Sequence, residues 1–225
     1  MGFDLSSLMI PVSVVFILLI AILVLAFTHR PLADGTAVLT PRRLVEGYVF
    51  TVVLAAMLLV SSGAGDLIRA GIADYAGLEA SYRPTPVYDE KVENPRDVKW
   101  EYDSNAPRRD LLAGTAQLII GLLVGILHLL GLRRLGRVEP LTASPVYRLF
   151  LIVGLVIYTT ATLAYAVGSV KDYLLYRYVP LPSPQQWFQR PVPGEQIASL
   201  IGFLPLWGLL VLLLFRYARS RSNPG

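Results

Sequence analysis

Five stretches of the chain run without a single Lys, Arg, Asp or Glu for long enough to cross a lipid bilayer: Leu5 to Thr28, Gly47 to Gly65, Leu111 to Leu132, Leu149 to Val170 and Gln196 to Phe215. A spanning helix needs roughly 20 mainly apolar residues to cross a hydrocarbon layer about 30 Å thick, and each stretch meets or nearly meets that length. The pattern predicts an all-α integral membrane protein of five transmembrane helices. Composition agrees, with 54% hydrophobic and only 16% charged residues. With no cysteine in the chain, disulfides, zinc–thiolate sites, iron–sulfur clusters and c-type haem attachment are excluded.

Lys and Arg in short loops are retained on the cytoplasmic side, so charge between the spans predicts orientation. Only Asp4 precedes the first stretch, whereas Arg30, Arg42 and Arg43 follow it. Arg133, Arg134, Arg137 and Arg148 lie between the third and fourth spans, and Arg216, Arg219 and Arg221 close the chain. The segment Asp66 to Asp110, by contrast, holds ten acids against seven bases, and Lys171 to Glu195 is nearly balanced. The expected topology places the N-terminus outside and the C-terminus in the cytoplasm of a bacterial plasma membrane. A cleaved signal peptide opens with basic residues, which the first stretch lacks, so it reads as a retained helix. No basic stripe with interleaved aromatics suggests nucleic-acid binding.

A weak internal repeat is visible when Arg43 is slid onto Arg148: Leu44 then meets Leu149, Ala56 meets Ala161, Leu58 meets Leu163 and Gly63 meets Gly168. Both copies share a Pro turn (Pro41, Pro145), an Arg-Leu, a span, a Gly near its far end and a polar-apolar extension (Asp66 to Tyr75, Lys171 to Tyr178). This layout predicts an N-terminal helix and inner loop (1–40), then two tandem in-out-in hairpin units (41–139 and 140–225). The first unit carries a long outer loop (66–110), expected to be partly ordered. The second has a Pro-rich outer loop and a basic tail.

Arg42 to Leu44, the returning run Gly125 to Leu130 followed by Arg133 and Arg134, and Tyr147 to Leu149 resemble motifs of an uncharacterised bacterial multi-pass membrane family, a domain of unknown function. Its hairpins open with Arg-Arg-Leu-Tyr and return with a Leu-Leu-His-Trp-like end. The resemblance covers about Pro41 to Arg219, with Val45, Leu129 and Leu213 departing from the pattern. It implies architecture and no activity.

Candidate functional residues are few. Val98, Trp100 and Tyr102 alternate with charged residues, the period of a half-buried strand, which suggests a short hairpin or extended flap. Trp187 and Phe188 lie in the second outer loop. Trp100, Tyr102, Trp187 and Phe188 are either interfacial anchors or contacts for a partner. His29 and His128 are candidate haem ligands, weighed against plain interfacial or helix-bonded histidines. Gly114, Gly121 and Gly125, with Ala161, Ala164 and Gly168, offer small surfaces for helix packing. Glu46 reads as an ion pair with Arg42 or Arg43, and Asp66 and Asp172 as boundary carboxylates that water can solvate. Pro205 is expected to kink the last helix.

No catalytic or metal-ligating constellation is legible, so a non-enzymatic role without a cofactor is expected. The favoured reading is a structural or accessory subunit associating with the lipid bilayer and other membrane protein subunits. A permease or channel component, suggested by Thr159, Thr160 and Thr162, and a haem-binding electron-transfer subunit are the alternatives.

Overall fold

The computed structural model describes residues 40–87, 99–136, 144–179 and 191–222. The elements are α1 (Pro41–Ala76), a short α2 (Leu78–Ser81), β1 (Thr85–Val87), β2 (Lys99–Glu101), α3 (Ala106–Gly136), α4 (Pro145–Tyr178) and α5 (Pro193–Ser222). Four helices are long and apolar enough to cross a membrane, which makes this a multi-pass membrane protein by length and composition. The expected first span, Leu5 to Thr28, lies outside the described residues.

Local chemistry sets the helix starts. Thr40 accepts the amide N–H of Arg43 on its hydroxyl at 3.3 Å, and Ser144 accepts that of Val146 at 3.2 Å. Each hydroxyl caps a helix whose first residue is proline, where the missing N–H has no intrahelical partner to lose. Pro41 and Pro145, expected as turns, are thus the first residues of their helices, each behind the same kind of cap. α1 ends at Gly77, whose φ of 92° favours glycine and lets the chain turn into α2. The polar-apolar extensions continue as helix: α1 runs 36 residues and α4 runs 34. At 1.5 Å per residue these are about 50 Å long, well beyond a hydrocarbon core of about 30 Å. α5 passes through Pro205 and remains a single helix, with that proline exposed.

The chain divides into two compact units, Met1–Leu59 with Ile120–Val156 and Leu210–Gly225, and Val60–Ile119 with Ile157–Leu209. These boundaries cut across the hairpin division, because each unit takes a piece of all four long helices. In the first unit Val49, Phe50, Val53 and Leu132 form a buried cluster flanked by Tyr147 and Phe150. Phe50 stacks on Phe150 with ring centroids 4.8 Å apart, and Tyr147 sets its ring edge against Tyr217 at 6.0 Å. Glu46, 2% exposed, pairs with Arg42 at 2.9 Å and accepts the Ser144 hydroxyl. The local ion pair expected for Glu46 is therefore present, joined by a partner 98 residues away.

In the second unit α1 presents a small-residue face. A Cβ on Gly63 would lie 2.6 Å from the Gly114 carbonyl oxygen of α3, and one on Gly202 of α5 would lie 2.5 Å from that of Ser61. Only glycine permits such backbone approach between membrane helices. Ser61 and Tyr158, both fully buried, share a hydrogen bond at 3.1 Å. The Trp207 indole N–H donates to Thr159 at 3.0 Å.

Half of the most apolar 18 residues of α1 are buried, against 11% for α3 and 22% each for α4 and α5. The outer faces of these last three helices remain apolar, as at Leu123, Leu127, Val167 and Phe215. A water-facing surface of that kind is unfavourable, whereas a lipid-facing one is expected.

Candidate functional site

Among the described residues, a dense polar arrangement lies in the second unit around Arg69, a base that stands just past the apolar run of α1. Its Nε–H donates to the Ser81 carbonyl at 3.0 Å, which ties the last turn of α2 back onto α1. The same nitrogen lies 3.7 Å from the Asp110 carboxylate at the start of α3, and a terminal guanidinium nitrogen lies 4.0 Å from Glu195 in the first turn of α5. The guanidinium also sits over the Tyr82 ring, 4.5 Å from its centroid. A planar, delocalised cation serves these contacts together, as an ammonium would not.

Tyr82 completes the cluster. It is buried with Ala73 and Ala106 and donates its hydroxyl to Asp110 at 2.7 Å. Burial, and next the hydrogen bond to the Asp110 carboxylate, push its phenol well above the usual tyrosine range. Asp66 is half-buried, its Cβ 3.0 Å from where a Cβ on Gly114 would stand. It therefore packs against α3 through its Cβ. The Ser81 hydroxyl is buried without a hydrogen-bond partner, as are the Gln117 side-chain oxygen and the Thr162 hydroxyl.

The strands stand in sequence between α2 and α3. β1 and β2 pair antiparallel with Thr85 opposite Glu101, Pro86 opposite Trp100 and Val87 opposite Lys99. The alternation at Trp100 and Tyr102 thus marks a real strand at Lys99–Glu101; Val98 lies outside the described residues. Trp100 and Tyr102 are each half-buried. Just after β2 in sequence, Asp103 accepts the Asn105 amide at 2.8 Å and pairs with Arg109 at 2.6 Å. Both contacts hold its carboxyl below the usual aspartate range, the Asn105 amide contributing more.

The remaining sequence candidates are scattered. His128 donates its Nδ1–H to the Val124 carbonyl one turn earlier, at 2.8 Å, and its ring lies 5.8 Å from that of Tyr48. His29, Trp187 and Phe188 lie outside the described residues. On α3, Gly114 abuts Gly63, Gly121 is buried and a Cβ on Gly125 would meet that of Ala56 at 3.5 Å. On α4, Ala161 is half-buried, Ala164 is exposed, and a Cβ on Gly168 would reach Gln196 of α5 at 2.8 Å. Among the described residues no three His, Cys, Asp or Glu side chains come together as a metal site.

Sequence reasoning passed over Arg69 and Tyr82. The available signal was the Asp66/Arg69 spacing directly after an apolar run, three residues apart on one helix face. Their partners, Asp110 and Glu195, belong to other helices and cannot be read from that spacing. No protein-family model, no curated protein and no solved structure matches the chain.

Proposed function

We propose that the chain is a non-catalytic accessory subunit of the membrane, which holds a braced platform at one end of its helices and presents the β1–β2 hairpin to a partner protein. The supporting observation is the Arg69 cluster. A single guanidinium joins α1, the end of α2, the start of α3 and the start of α5, so the roots of the hairpin segment are anchored by charge as well as by packing. Charged and aromatic groups concentrate there, and the hydroxyl and indole groups deeper in the helices bond to neighbouring helices. In this reading Trp100 and Tyr102, with Trp187 and Phe188 of the other loop, supply the partner contacts, since aromatic side chains carry much of the energy of interfaces. The hairpin end faces outward and the arginine-rich end faces the cytoplasm of a bacterial plasma membrane, following the loop charges.

Co-purification in mild detergent tests this directly. Replacing Trp100 and Trp187 with Ser leaves membrane insertion intact and releases a protein that the parent retains. A double variant that keeps every associated protein, or a parent that shows a haem absorption band lost in His128→Ala, overturns the proposal. Orientation is tested with single cysteines and a membrane-impermeant thiol reagent on intact cells, which should label a cysteine at Asp103 and spare one at Arg134.

A further inference from the structure

At the ends of the helices in the first unit, Arg133 and Arg134 close the apolar part of α3, Arg148 opens α4 and Arg216 lies near the end of α5, all four exposed. The single acid among the described residues of that unit is Glu46, which is 2% exposed and engaged by Arg42 and Ser144. None of the four arginines has an acidic partner among the described residues. Arg148 donates its Nε–H to the Tyr217 hydroxyl at 3.2 Å, a bond that uses neither of its two terminal amino groups. That fork matches two oxygens of a phosphate.

A second feature distinguishes a phospholipid from a soluble anion. Residues four apart share a helix face, and each of these arginines has an exposed aliphatic side chain one turn toward the helix middle. Leu129 (50%) and Leu130 (49%) stand behind Arg133 and Arg134, Ile152 (50%) behind Arg148 and Leu212 (61%) behind Arg216. The same juxtaposition of a cation and a lipid-facing aliphatic surface therefore occurs four times. We propose that this end of the protein selectively binds acidic phospholipids, the guanidinia pairing with headgroup phosphates and the aliphatic side chains lying along the acyl chains. Positive charge retained for topology alone needs no such selectivity.

The test uses the full chain in neutral detergent, supplied with phosphatidylglycerol or phosphatidylcholine, with retained lipid read by native mass spectrometry and stability by thermal unfolding. Phosphatidylglycerol is expected to be retained in preference and to raise the melting temperature, both effects shrinking at high salt. Arg148→Gln with Arg216→Gln should lower its retention by roughly fivefold per residue, while Arg148→Lys with Arg216→Lys, which keeps the charge but loses the two-pronged donor, should fall between the Gln variant and the parent. A comparison at matched secondary structure by circular dichroism separates loss of binding from misfolding. Equal retention of the two lipids, or unchanged retention in the Gln variant, overturns the proposal. Stabilisation by inorganic phosphate equal to that by phosphatidylglycerol reassigns the arginines to a soluble anion, and displacement of the lipid by an acidic peptide reassigns them to a protein partner.

Discussion

The Ser144 hydroxyl donates to the buried carboxylate of Glu46 while it accepts the Val146 amide, so one side chain both caps α4 and satisfies a charge on α1. A buried carboxylate is tolerated when its oxygens are engaged, and here Arg42 holds one and Ser144 the other. Ser144→Ala removes both functions and should destabilise the protein by about 1–3 kcal/mol. Thermal unfolding in detergent measures this; an unchanged melting temperature would show that water replaces the hydroxyl at no cost.

The glycines of α3 should rank by what a methyl group would strike. Gly114→Ala places a Cβ 2.7 Å from the Gly63 carbonyl oxygen, which is backbone and cannot swing aside, so α1 and α3 must separate at a cost of about 1–3 kcal/mol. Gly125→Ala makes an ordinary 3.5 Å contact with Ala56, and Gly131→Ala meets nothing within 4 Å. Both should be neutral or gain up to about 1 kcal/mol from helix propensity. Gly125→Leu, in contrast, should overpack against α1. Melting temperatures of the four variants test the order, and a Gly114→Ala protein as stable as Gly131→Ala would refute the close crossing.

Ser61 and Tyr158 form an interhelical hydroxyl pair with no exposed surface. Either Ser61→Ala or Tyr158→Phe strands its partner, whereas the double variant removes both polar groups at once. A double-mutant cycle should give a favourable coupling on the order of 0.6 kcal/mol, the common scale for hydrogen bonds between membrane helices. A coupling of zero would mean that the pair contributes nothing beyond its separate side chains.

Tyr82 predicts an alkaline limb. Its phenol is held above the ordinary value of 10.0 by burial first and the Asp110 carboxylate second, so the native state keeps a proton that the unfolded chain releases. The corresponding stabilisation is fully present below about pH 10 and is lost as pH rises through the higher native value. The melting temperature of the parent should therefore fall more steeply above pH 10 than that of Tyr82→Phe, although the variant starts lower at neutral pH for want of the bond to Asp110. Parallel slopes would show that Tyr82 ionises freely in the native state.

Hydropathy alone located the four described spans, because a helix in lipid needs only enough uninterrupted apolar residues and satisfies its own backbone. The strand at Trp100 was equally legible, since period-two alternation acts within a few residues, whereas Pro41 and Pro145, read as turns, prove to be the first residues of their helices. The tertiary structure alone decided which polar groups meet. Arg69 with Asp110 and Glu195, Ser61 with Tyr158 and Glu46 with Ser144 each join different helices, the last two pairs from 97 and 98 residues apart. Such meetings depend on how far each helix is rotated about its axis and slid along its neighbour. Packing of the glycine faces fixes those two quantities, and no local pattern encodes them.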